Sequence, residues 1–92
     1  MKYFDWDNEK NDWLIKNRGI SFEMCVALIE SNQMVAIVPN KHPRTHQQKF
    51  HLNIDGYIYV VPFVTDDTKI FLKTIYPSRK ETKKYLSIKN II

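Results

Sequence analysis

The chain has 92 residues, 43% of them hydrophobic, with five Phe, five Tyr and two Trp. That is enough for one cored domain spanning residues 1–92 and argues against intrinsic disorder. Its single cysteine excludes an internal disulfide and a cysteine-built zinc site, and no run approaches the ~18 apolar residues of a membrane span. No apolar stretch follows Met1-Lys2-Tyr3-Phe4-Asp5, so a signal peptide is not expected and a cytoplasmic, non-membrane protein is.

In chain order, Tyr3–Trp6 reads as a short strand and Asp7 as the N-cap of a helix over about Asn8–Asn17, carrying Trp13 and Leu14 inward. Gly19 closes that helix. Ser21 caps a second one running to about Asn32, with Phe22, Val26 and Ile29 as its buried stripe. Cys25, among apolar neighbours, reads as a buried structural thiol. The period then changes to two. Met34–Val38 is a strand ended by Pro39-Asn40, and a polar, cationic loop from Lys41 to His46 follows. Strands are expected at Gln48–Ile54, Tyr57–Thr65 and Lys69–Tyr76. Asp55-Gly56 is a strong hairpin signal and Asp66-Asp67 a weaker one. Arg79 to about Ser87 reads as a closing helix. The fold class is α+β: a short strand, two helices, a three- to four-stranded antiparallel meander and a C-terminal helix.

Charge is unevenly distributed. Thr68–Ile92 holds seven Lys/Arg and one acid, a net +6, whereas Met1–Asp67 is net −2. A concentrated cationic end suits a phosphate-bearing partner, although a solvated helix face has the same composition.

Both hairpin signals, taken as two-residue turns, predict facing pairs. Leu52 meets Tyr59, His51 meets Val60, Val61 meets Leu72 and Val60 meets Lys73. One sheet face then collects Phe50, Leu52, Tyr57, Tyr59, Val61, Phe63, Ile70, Leu72 and Tyr76 as the core. The other collects Lys49, His51, Asn53, Ile58, Val60, Lys69, Phe71, Lys73 and Ile75, with His51 and Lys73 flanking Val60. That face, beside the basic terminal helix, would cradle RNA. A one-residue slip would exchange the two faces.

The chain has only two glycines and no Gly-rich phosphate loop. Ser78 reads as the N-cap of the last helix rather than a nucleophile. His42, His46 and His51 have no carboxylate beside them in sequence and Pro43 between the first two, so loop roles outweigh metal ligation. No metal or other cofactor is expected. Phosphodiester cleavage through the ribose 2′-hydroxyl needs only a base, an acid and cations for the transition state. Lys73, Arg79, His51, Tyr76 and Tyr85 are the right residue types, with a core role favoured for Tyr76. Lys49, Lys80, Lys83 and Lys84, with Arg18 and Tyr85, are candidates to hold RNA. Lys16 and Arg18 equally suit the C-terminal dipole of the first helix.

Three blocks resemble the BrnT-type toxins of bacterial type II toxin–antitoxin modules, within the RelE/ParE-like group. They are Phe4-Asp5-Trp6-Asp7 with Lys10, then Lys16-Asn17-Arg18-Gly19-Ile20-Ser21-Phe22-Glu23, and Ser78-Arg79-Lys80-Glu81-Thr82 with Tyr85. The resemblance implies an endoribonuclease cleaving mRNA, silenced by a cognate antitoxin that alone confers operator-DNA binding. It carries catalytic roles onto Arg79 and Lys16. The family's His before Gly is Arg18 here, and Thr74-Ile75-Tyr76-Pro77-Ser78-Arg79 departs from its Ile-Ile-Ser-Ala-Arg approach. The antitoxin is expected near Lys73 and Arg79, anchored on Ile58, Phe71 and Ile75. Ile88, Ile91 and Ile92 are open to either core packing or an oligomer contact. Alternatives are a non-catalytic nucleic-acid-binding or regulatory module and a ParE-like toxin directed at gyrase.

Overall fold

A computed structural model of the chain describes residues 2–39 and 47–91, with side chains described as far as Tyr85. His42 and His46, and the side chains of Ile88, Ile91 and Ile92, lie outside the described residues.

The first strand, β1 (Tyr3–Trp6), ends at Asp7, whose carboxylate accepts the Glu9 N–H and caps α1 (Asn8–Arg18). Gly19 closes α1 at φ 65°, a left-handed conformation that glycine adopts without steric cost. Ser21 Oγ accepts the Met24 N–H and opens α2 (Phe22–Glu30), which stops two residues short of the expected Asn32. Asn32 instead sits at φ 64°, where a helix cannot continue.

Five further strands follow: β2 (Met34–Pro39), β3 (Gln48–Ile54), β4 (Tyr57–Thr65), β5 (Lys69–Leu72) and β6 (Tyr76–Pro77). They form one sheet in the order β1-β5-β4-β3-β2, with β6 continuing alongside β4. The expected meander is present and antiparallel, but β1 extends it by pairing parallel with β5, from Tyr3↔Lys69 to Trp6↔Leu72. The last helix, α3, runs Arg79–Ile91.

The Asp55-Gly56 turn is as expected. Both residues have positive φ, 55° and 84°, and Leu52↔Tyr59 and His51↔Val60 pair as predicted. The next turn is longer. Phe63 pairs with Leu72 and Thr65 with Ile70, two residues from the expected register. Asp66 explains it: its carboxylate accepts the N–H groups of Thr68 and Lys69 and the Thr68 hydroxyl, holding a wider loop. A shift of two preserves the faces through Leu72.

A second correction does exchange them. The expected strand Lys69–Tyr76 is broken at Lys73–Ile75. Lys73 N–H donates to Pro62 at 2.8 Å, and pairing resumes at Val60↔Tyr76. Three residues on this strand oppose two on β4, which is a bulge. Ile75 therefore takes the core position expected of Tyr76 and is fully buried, while Tyr76 is exposed.

The core lies between α1, α2 and one sheet face. Leu14, Ile20, Phe22 and Cys25 meet Phe50, Leu52, Val61, Phe63, Leu72 and Ile75. Trp13, expected inward, is 44% exposed because Asn11 and Leu14 hold the inner positions of α1. Val26 and Ile29 are half-buried, packed against the cluster edge. Asn11 ties the helices together: Nδ2 donates to Glu23 and Oδ1 accepts the Phe22 N–H, both at 2.8 Å.

Candidate functional site

The opposite sheet face is not the open cradle expected. Ile58, Val60 and His51 are buried there, and α3 packs on β4. Ser78 N–H donates to the Ile58 carbonyl at 2.9 Å. Thr82 Oγ1 accepts the Ile58 N–H at 2.9 Å and donates to the Ser78 carbonyl at 2.7 Å. Ser78 Oγ accepts the Glu81 N–H, the N-cap role expected of it. Positions 78, 81, 82 and 85 recur at helical spacing, so α3 turns Glu81 and Tyr85 toward the sheet with Ser78 and Thr82.

Beneath that helix lies a row of side chains. Ala36, His51, Val60 and Tyr76 are register partners across β2, β3, β4 and β6. Tyr76 thus occupies the flank of Val60 expected of Lys73, a direct result of the bulge. His51, 3% exposed, packs its ring edge-on to Tyr85 at 5.7 Å, with Nδ1 3.2 Å from the Tyr85 hydroxyl.

The electrostatics follow from burial. Desolvation pushes the His51 pKa below its ordinary value; Glu81 opposes the shift, and Lys49 and Lys84 add to it. His51 is therefore a neutral imidazole at neutral pH. Partial desolvation beside α3 raises the Tyr76 pKa, and Glu81 raises it further, keeping that phenol protonated. Glu81 Oε1 is shielded from solvent and has no hydrogen-bond partner among the described residues.

The structure brings together His51, Tyr85, Tyr76, Lys49 and Lys84 of the expected residues, and adds Glu81. Arg79 is exposed at the start of α3, followed by exposed Lys80, Lys83 and Lys84. Arg18 reaches this end of the molecule from α1: its guanidinium donates to the Ile75 carbonyl, beyond the point where β1 stops pairing. Lys16 is exposed on the last turn of α1 and Lys73 is exposed in the bulge. No described contact joins either of them to His51. Among the described residues the one ion pair is Lys69–Asp5 at 3.5 Å, so Arg79, Lys80, Lys83 and Lys84 are in no described ion pair.

The antitoxin anchors expected at Ile58 and Ile75 are corrected, since both are fully buried. Ile58 lies under α3 and Ile75 turns inward at the bulge. Phe71 is half-buried, with Lys69 Nζ 5.8 Å from its ring. A separate 630 Å³ groove between α2 and the β3–β4 turn, lined by Met24, Ala27, Leu28, Ile54 and Asp55, carries no cation and does not suit phosphate.

Sequence reasoning missed Glu81 because one acid in a basic helix reads as solvated charge. It misplaced Tyr76 because a single break in alternation, the polar pair Lys73-Thr74, is a weak sign of a bulge. Pro77 on the short strand after it was the other available signal of irregular pairing.

No group of three or more His, Cys, Asp or Glu side chains placed to hold a metal occurs among the described residues, and no described helix is long and apolar enough to cross a membrane. The chain matches no protein-family model and no curated protein.

Proposed function

We propose that this chain is the toxin of a bacterial toxin–antitoxin pair, an endoribonuclease that cleaves mRNA. The observation that carries the reading is the juxtaposition at α3. Exposed Arg79, Lys80, Lys83 and Lys84, none of them in a described ion pair, border a neutral imidazole and a protonated phenol on either side of Val60. A neutral imidazole can accept a proton and a protonated phenol can donate one. Cleavage requires both: the 2′-hydroxyl loses its proton as its oxygen attacks phosphorus, and the departing 5′-oxygen gains one. His51 is too buried to meet RNA directly, so Tyr85 is the group at the surface and His51 takes up its proton from behind. Arg79 and its neighbours hold the phosphate and offset charge growing on it.

The partner that silences such a site would be acidic, covering the start of α3 through charge. Its apolar anchors would be Tyr76 and Phe71 rather than Ile58 or Ile75.

The burial of His51 also favours a second reading, a module that binds nucleic acid without cutting it. Expression of the wild type and Arg79→Ala in a bacterial host, following growth and mRNA 5′ ends, separates the two. Growth arrest with new mRNA ends, both lost in the variant, supports the nuclease. Arrest with intact mRNA points to another target such as gyrase, and RNA binding without arrest or cleavage points to the module.

A further inference from the structure

The feature that the proposed site does not use is Trp13. It is a large aromatic ring, 44% exposed, on a helix whose inward positions are already filled. Two cations lie over it: Lys10 Nζ at 4.7 Å and the Arg18 guanidinium at 5.2 Å from the ring centroid. Lys16 is exposed one turn further along the helix. The acids of α1, Glu9 and Asp12, are exposed as well, so net charge alone does not distinguish this helix. What does is the ring with cations around it.

Arg18 makes this a continuation of the α3 end rather than an isolated patch. The same guanidinium that lies on Trp13 donates to the Ile75 carbonyl, next to Tyr76 and four residues before Arg79. Arg18 is thus held between the ring and the sheet. Among the described residues the ring is the one contact of the Lys10 ammonium, at the end of a flexible side chain.

We propose that Trp13 is a stacking platform for one base of a single-stranded RNA whose backbone continues past Arg18 to Arg79. This rests on the proposed action on RNA and extends it to a second contact along the strand. A base moves into the position of the Lys10 ammonium over the ring, and the displaced ammonium meets the adjoining phosphate. Base stacking on an aromatic ring with flanking cations is how single strands are held without sequence readout.

The test uses the full chain carrying Trp6→Phe, which leaves Trp13 as the single fluorescent indole. The probe is a short single-stranded RNA with 2′-O-methyl riboses, which cannot be cut through the 2′-oxygen. Binding should quench Trp13 fluorescence. Trp13→Ala should weaken binding roughly 5- to 150-fold, as loss of one stacked base does, and Trp13→Phe should restore most of it. An abasic strand of the same charge should bind the wild type and Trp13→Ala equally. Far-UV circular dichroism verifies that each variant is folded. Unquenched fluorescence with unchanged affinity in Trp13→Ala overturns the platform and leaves the action on RNA standing. No binding of either strand by folded wild type overturns both.

Discussion

The hydroxyl of Tyr85 lies 3.2 Å from Nδ1 of His51, and the two rings stand at 80° to each other. This contact joins the middle of the sheet to the second turn of α3. It satisfies a ring nitrogen that is otherwise sealed from water. Replacing Tyr85 with Phe keeps the ring packing and strands the imidazole. The expected cost is about 1–2 kcal/mol, the usual penalty for a buried polar group left unpaired. Urea unfolding of Tyr85→Phe against wild type measures it, and an unchanged midpoint would show that the hydrogen bond contributes nothing.

The same imidazole makes stability depend on pH. Its folded pKa lies below the ordinary 6.5, so the unfolded chain binds its proton first on acidification. The contribution is complete above about pH 6.5 and is lost as pH falls from there toward the folded pKa. Glu81→Gln should shift this window. Removing the carboxylate takes away the charge that holds the His51 pKa up, so the pKa drops further; the Tyr76 pKa, also raised by Glu81, drops with it. Proton NMR titration of the imidazole and ultraviolet titration of the phenol read both. A rise in either would refute the placement of Glu81 between them.

Asn11 offers a sharper structural test. Asn11→Ala removes one buried and one part-buried hydrogen bond at once, leaving the Phe22 N–H without its acceptor and the Glu23 carboxylate without its Asn11 donor. A loss of about 2 kcal/mol is expected. The Glu23 pKa, held low chiefly by the Asn11 amide, should rise toward the ordinary carboxylate range. Asn11→Asp would keep an acceptor for Phe22 but set a carboxylate against Glu23, so it should destabilise more at neutral pH than at acid pH.

Cys25 should be chemically silent in the native protein. It is fully buried, and burial pushes its thiol up to about 12. Alkylation by iodoacetamide at neutral pH is expected only as fast as the chain unfolds, and to become rapid in guanidinium. Fast modification of the native protein would contradict the packing of α2 against the sheet.

Strand positions were legible where local chemistry dictates them. Asp55-Gly56 fixed the β3–β4 register because two adjacent positive-φ residues admit one common hairpin geometry. Asp66-Asp67 misled by two residues, since one carboxylate can hold three donors and widen a loop without any sequence mark beyond its identity. The bulge at Lys73–Ile75 was only weakly marked. Two polar residues in a row, Lys73-Thr74, break the alternation between Leu72 and Ile75, and pairing of Lys73 with Pro62 confirms the extra residue. That single residue decided the candidate site, replacing Lys73 by Tyr76 beside Val60. The cationic end was legible from charge alone, whereas its covering of His51 was not, because helix docking depends on tertiary contacts of Ser78 and Thr82 with Ile58.

The parallel pairing of β1 with β5 has a consequence for when the molecule becomes competent. Residues 3–6 are made well before their partners, residues 69–72. The Arg18–Ile75 contact likewise closes across 57 positions. On a translating ribosome β1 must therefore wait, unseated, until β5 has emerged. Until then the cations of α1 and α3 belong to separate pieces, so a chain still short of β5 does not hold together the groups proposed to meet RNA.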